Sequence, residues 1–317
     1  MSLVNKRCRI KNSVLLCVTL WLIILLFSCQ STPKGSDSFS DEAQFLPLNT
    51  GASVYIFANV QEARSILELL PIEELKDKQV KKMLDRTGFA AAAFFPEDSG
   101  QRFQLASWGN YPRNADIAFA LNKNWKKHNS PKGQKYWHSS ADKLSIALTS
   151  RQAFITASLN DAPVSPYAAS SSSLHAGIEI PEGFNAFRGV NNNRAPLSFW
   201  LENPGSLFSN VMNEAGIPIR FPVQQFFLNL NNAANGQYEA TIRLQFDNIS
   251  QARGITAILS LASGFDLKQQ PNQSQYMKIA ALLLANPPVQ NGRNVDIKTG
   301  AMNKDEIMSI FNIFMSF

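Results

Sequence analysis

Residues Gln237 to Asp247 alternate without a break for eleven positions, and no other stretch of the 317-residue chain constrains its fold as tightly. Tyr238, Ala240, Ile242, Leu244 and Phe246 fall on one side, and Gln237, Glu239, Thr241, Arg243, Gln245 and Asp247 on the other. A period of two is that of a β-strand, whose successive side chains point to opposite faces. One dry face and one wet face belong to an antiparallel sheet rather than to a parallel sheet covered on both sides. Asn235-Gly236, just ahead, is a hairpin turn signal, because both residues tolerate positive φ. The partner strand is expected over Val223 to Leu230.

A second regularity organises the rest of the body. Four times a short apolar strand ends at an asparagine and a helical pattern follows. The first runs Val54 to Asn59, with Val60, Ala63, Leu67 and Leu70 on one helix face. The second runs Leu105 to Asn110; Pro112 suits a first helical turn, and Ile117, Ala118, Leu121 and Trp125 supply the apolar side. The third is Leu197 to Asn203, then Pro204, Phe208, Val211, Met212 and Ala215; the fourth is Ile242 to Asn248, then Ala252, Ile255, Leu259 and Ala262. Asparagine at such a junction can accept from the first free amides of the helix, so capping explains all four without a ligand site.

Hairpins separate these units. In the first half, Phe89 to Phe95 and Gln101 to Trp108 flank a turn at Pro96 to Gly100, and further strands are expected at Lys135 to His138, Leu144 to Thr149 and Ala153 to Ala157. In the second half, an apolar helix around Tyr276 to Ala285 precedes a strand at Asn294 to Lys298. Asn303 to Glu306 has the form of a capping box, followed by Ile307, Ile310, Phe311, Phe314 and Phe317 at helical spacing. Strand, helix, strand, strand, helix in each half predicts an α+β fold: antiparallel sheets with helices on one face, built as a tandem duplication of a split βαβ, ferredoxin-like unit. The expected domains are 45–160 and 196–317, joined by a linker over 161–195 that holds Ser170 to Ser173 and Asn191 to Asn193.

The N-terminus answers a different question. Lys6, Arg7, Arg9 and Lys11 precede an uninterrupted run from Val14 to Phe27. As a helix that run is about 21 Å long, short of a bilayer's roughly 30 Å core, so it reads as an export signal and not as a permanent span. It ends Leu26-Phe27-Ser28-Cys29, which resembles the lipobox of bacterial lipoproteins. The resemblance implies cleavage between Ser28 and Cys29, a diacylglycerol on the Cys29 thiol and acylation of the freed amino group. It implies a bilayer partner through those acyl chains, and Gln30 after the cysteine, where Asp would signal retention, favours the outer over the inner membrane. The resemblance ends at residue 29. Residues 29–44, rich in Ser, Asp, Pro and Gly, are expected to act as a tether.

Removing residues 1–28 takes four basic side chains with it and leaves 289 residues carrying 26 basic and 24 acidic groups, a net charge of about +2. That balance gives no footprint for nucleic acid. Cys8 and Cys17 lie in the signal, so Cys29 has no disulfide partner; a hydrophobic content of 45% supports a core without one.

Motifs for catalysis and metal binding are not found. His128, His138 and His175 lack zinc-helix spacing, His128 sits in a polar Lys-Lys-His-Asn run read as solvated, and no glycine-rich phosphate loop is present. Ser140-x-x-Lys143, Ser158-x-Asn160 and Lys298-Thr299-Gly300 share short strings with serine penicillin-binding enzymes. Lys143 runs straight into a strand pattern, where that chemistry needs a helix. The sequence therefore leads to a lipid-anchored envelope protein acting as a binding or structural module, without cofactor or metal. Two alternatives remain open: a carrier that uses some of the 22 phenylalanines to hold a lipid or other hydrophobic ligand, and a serine hydrolase.

Overall fold

The computed structural model describes residues 48, 51–69, 81–82, 84–96, 101–112, 116–130, 133–158, 163–166, 183–189, 195–205, 222–264 and 281–315. The signal, Ser28, Cys29, the tether and most of the 161–195 span lie outside them. The described residues fall into two compact units, the first running to Asn185 and the second taking in Ala186 onward.

The first unit contains β1 (Val54–Asn59), a one-turn helix α1 (Arg64–Leu67), β2 (Thr87–Phe94), β3 (Gln101–Gly109), α2 (Ile117–Leu121), β4 (Trp125–Asn129), β5 (Lys135–Ser139), β6 (Leu144–Leu148) and β7 (Gln152–Ser158). Its strands lie in the order β1-β2-β3-β7-β6-β5-β4, and each pairing is antiparallel. The β2–β3 hairpin and the strands β5, β6 and β7 fall where the alternation and turn signals put them. Two local readings change. The second helix stops at Leu121, and Trp125 opens a strand instead of closing the helix face. Asn110 does not cap: its amide bonds the Arg86 carbonyl at 2.9 Å, and the helix begins at Ile117. Asn59 accepts from the Glu62 amide at 3.4 Å and its carbonyl takes the Ala63 amide at 2.8 Å, which closes a turn ahead of α1; α1 itself starts after Ala63 with no side-chain cap.

The second unit contains most of α3 (Phe184–Arg188), then β8 (Leu197–Glu202), β9 (Val223–Asn232), β10 (Tyr238–Phe246), α4 (Ile249–Gly264), β11 (Val289–Asn291), β12 (Asn294–Lys298) and α5 (Lys304–Met315), in the strand order β11-β12-β10-β9-β8. β10 is buried at alternate positions from Tyr238 to Phe246, as its sequence dictates. Asn235 and Gly236 take φ of 59° and 71° at the turn. Ile242, Leu244 and Phe246 join Val223, Phe226, Val295 and Ile297 in one apolar layer, onto which α4 lowers Ala252, Ile255 and Leu259. Each large side chain buried there contributes about 1.5–3 kcal/mol. Asn248 caps α4 by accepting from the Gln251 amide at 3.0 Å. The box at α5 forms as well: Asn303 Oδ1 accepts from the amides of Asp305 and Glu306, and the Asn303 amide donates to Glu306 Oε2 at 2.7 Å.

The α+β reading with antiparallel sheets holds, but the connectivity is not that of a split βαβ unit. In such a unit the strands flanking a helix run parallel with a third strand between them; here β1 pairs directly and antiparallel with β2, and β10 with β12. Nor are the helices confined to one face of the second sheet. α3 lies opposite α4: the Phe187 ring meets Phe227 at a tilt of 54° with centroids 5.6 Å apart, has the Arg243 guanidinium over it at 5.3 Å, and the Phe187 carbonyl accepts from Asn229 Nδ2 at 2.6 Å. The span read as a linker thus holds a folded helix, with Arg188 fully buried and its guanidinium pulled down to about 9 by desolvation.

Two sites pin the first unit. Gly109 sits beside the irregular register of β2 and β3, where a Cβ would fall on the Arg86 carbonyl and 3.0 Å from Thr87 Cα. Next to it, buried Tyr111 donates its hydroxyl hydrogen to Ser107 Oγ at 2.8 Å and lies 3.2 Å from Thr87 Oγ1; burial, only partly offset by these bonds, pushes the phenol up to about 12. Gly109→Ala is expected to cost about 2 kcal/mol or more in urea unfolding, because backbone must move to admit the methyl. The unfolded phenol ionises near 10 while the folded one stays protonated to about 12. Stability should therefore fall by about 2–3 kcal/mol as pH rises through that window, and a Tyr111→Phe protein should lack this component.

Candidate functional site

α4 departs from what a solvent-facing helix requires. Its sixteen residues, ISQARGITAILSLASG, hold one charge, Arg253. The stripe Ala252, Ile255 and Leu259 packs on the sheet. A second stripe faces away: Gly254, Ala257, Ile258 and Leu261 recur at i, i+3, i+4 and i+7 and are all exposed. Leu261 is 70% exposed and Ile258 38%, with Ile249 at 52% in the first turn. An exposed apolar ridge of this kind is the candidate contact surface of the second unit. The sequence carried the signal at that spacing, but the inward stripe had already satisfied the helical pattern. Chemically the ridge offers only apolar contact, with no group to move a proton or hold an ion.

The remaining polar candidates resolve into structural roles. His128 is half-buried rather than solvated: its ring stacks on Tyr136 at 5.6 Å and meets the edge of His138 at 5.9 Å. His138 Nδ1 lies 3.0 Å from Ser145 Oγ, both buried, and the pair ties β5 to β6. Their row continues by register through Thr156 on β7 to Gln104 on β3, all within the sheet interior. Ser140 and Lys143 occupy the turn between β5 and β6, where Lys143 takes φ of 56°, and not the helix opening that the penicillin-binding arrangement needs. Ser139, the neighbour of Ser140, donates to Asp142 at 2.6 Å. Ser158 closes β7 in the same unit; Asn160 lies outside the described residues. Lys298 and Thr299 end β12 in the other unit, where Thr299 Oγ1 accepts the Ala240 amide at 2.9 Å and Lys298 lies 3.6 Å from Glu239.

Among the described residues no three His, Cys, Asp or Glu side chains are placed to share a metal ion. An open depression of about 630 Å³ lies between Asn235-Gly236-Gln237 and Asn303-Lys304-Asp305, where Asn303 is already committed to its cap. No helix among the described residues is long and apolar enough to cross a membrane.

Residues 42–278 match the sequence profile of a family described as outer membrane-associated lipoprotein TP0453. The chain belongs to this family. The body beyond residue 29, which the lipobox left without a relative, therefore has one, and the expectation of a lipid-anchored envelope protein favouring the outer membrane agrees with it. Crystal forms III, IV and I of TP0453 are similar in structure, with TM-scores of 0.53, 0.53 and 0.52 at 16%, 17% and 18% identity. They cover 86%, 84% and 86% of this chain and 98%, 95% and 97% of their own. At that identity the likeness to TP0453 speaks for the fold alone. No curated protein matches the sequence.

Proposed function

We propose that this protein is an outer-membrane lipoprotein acting as a binding or structural module at the bilayer surface. Signal removal between Ser28 and Cys29 leaves acyl chains on Cys29, and the folded body is seated on the lipid by the outward ridge of α4. The observation that carries this reading is the exposed Ile258 and Leu261 on a helix with a single charge, in a member of an outer membrane-associated lipoprotein family. A bilayer interface accepts such a ridge at a gain of up to about 1.5–3 kcal/mol per large side chain. The carrier reading draws less support. The phenylalanines it would recruit include Phe57, Phe103, Phe119, Phe227 and Phe246, and these are fully buried in the packing of the two units.

Two measurements test the proposal. Fatty-acid label should enter the wild-type protein in cells and be lost in Cys29→Ala; an unlabelled wild type removes the anchor. The unacylated mature protein should float with neutral phosphatidylcholine vesicles, and Ile258→Asp with Leu261→Asp should reduce that binding at least tenfold while leaving thermal unfolding unchanged, since both side chains are already exposed. Equal flotation of the two proteins would overturn the seating role of α4.

A further inference from the structure

The hairpin of β4 and β5 carries a charge the rest of the chain does not share. Residues 123–135 hold five lysines and a histidine with no acid; beyond residue 28 the whole chain has 26 basic and 24 acidic groups, so everything outside this stretch sums to about −3. Lys123, Lys126, Lys127 and Lys135 are exposed. Lys298 lies 3.6 Å from Glu239, and the half-buried Arg64 contacts Glu68 at 2.8 Å and Asp85 at 3.1 Å. Lys126 and Lys127 take part in no ion pair among the described residues. Lys127 Nζ instead lies over the Trp137 ring, 5.5 Å from its centre.

Lysines on a terminal strand such as β4 have an ordinary purpose, since they discourage edge-to-edge pairing with another sheet. That accounts for Lys126 and Lys127. It does not account for Lys123 and Lys135, which lie off β4, nor for the half-buried Trp137 beneath one ammonium. An ammonium over a partly covered indole, with Lys135 two residues away on the same strand face, is the pattern of side chains that sit at a lipid headgroup layer, stems and rings toward apolar matter and charges toward phosphate.

We propose that the β4–β5 hairpin is an electrostatic docking element for anionic phospholipid headgroups. This rests on the membrane-surface reading above, but on different residues and a different force. An acidic protein would meet the same charge; membership of an outer membrane-associated lipoprotein family favours the lipid, because it places a headgroup layer beside the body. Clustered lysines near an anionic surface add attraction nearly charge by charge and lose it as salt shortens the Debye length.

The test uses the full mature chain with Cys29→Ser, so that no acyl chain contributes. Binding to vesicles of phosphatidylcholine with about 30% phosphatidylglycerol should exceed binding to phosphatidylcholine alone at least tenfold, and the excess should vanish at about 0.5 M salt. Lys126→Glu with Lys127→Glu and Lys135→Glu should abolish the excess and leave binding to neutral vesicles intact. Leu261→Asp should do the reverse, so failure of the α4 reading and failure of this one give different patterns. Equal binding of the wild type to both vesicles, an excess retained by the triple variant, or capture by soluble polyglutamate without capture by anionic vesicles would each overturn the proposal.

Discussion

The ladder between β9 and β10 is the contact on which the second unit depends. Its register runs from Tyr238 opposite Asn232 to Gln245 opposite Gln225, with one irregularity before Phe246. Because side chains alternate across a strand, a slip of one residue would turn Ile242, Leu244 and Phe246 outward and present Arg243 and Gln245 to α4. The Asn235-Gly236 turn fixes that register at one end. On the other side of the sheet, Arg243 gains a two-pronged bond to Asp296, at 2.7 and 2.9 Å, and the ring of Phe187 above it. That bond, more than the opposing desolvation, holds its guanidinium protonated beyond the usual range. Both helices flanking the sheet are therefore seated by one choice of register.

The first unit depends less on alternation. β2 contains Ala90 to Ala93 in a row, so its sequence does not say which face is inward; its neighbour decides, through Tyr55 and Phe57 of β1 opposite the buried Ala93 and Ala91. Small side chains there are matched by a buried polar row on the adjoining strands, where Thr156 Oγ1 makes no hydrogen bond. Leaving such a group unbonded costs about 1–3 kcal/mol, which the backbone pairing and the buried Phe103, Trp108 and Ile155 around it have to offset.

This contrast explains what could be read from the residues. β10, the two hairpins, the cap of Asn248 and the box at Asn303 each rest on a local signal with a local cause, and each formed. β4 was missed because Trp-Lys-Lys-His-Asn has no apolar alternation: it is an edge strand set by backbone pairing to β5 and by the ring contacts of Trp125 and His128. The split βαβ plan failed for another reason. Strand, helix, strand has the same pattern whether the two strands become direct neighbours or leave room for a third, and only long-range pairing distinguishes them. Within the candidate site, the inward stripe of α4 hid the outward one, since a helix needs one apolar face and the chain supplied two. The expectation at Cys29 is of another kind, since a processing signal is a short string read in sequence and independent of any fold.

A tether changes what a surface contact must achieve. In the proposed anchoring, the fifteen residues 30–44 between Cys29 and the body, even fully extended, would keep it within about 50 Å of the bilayer. Such tethering corresponds to an effective concentration in the millimolar range, so a contact with millimolar affinity, only about 4 kcal/mol, is enough to hold the body down for much of the time. Two exposed aliphatic side chains, or a handful of lysines over anionic headgroups, reach that level separately. Neither surface then has to be large or strongly binding. That is compatible with an α4 ridge built from four residues and with a charged hairpin on a chain whose overall charge is close to zero.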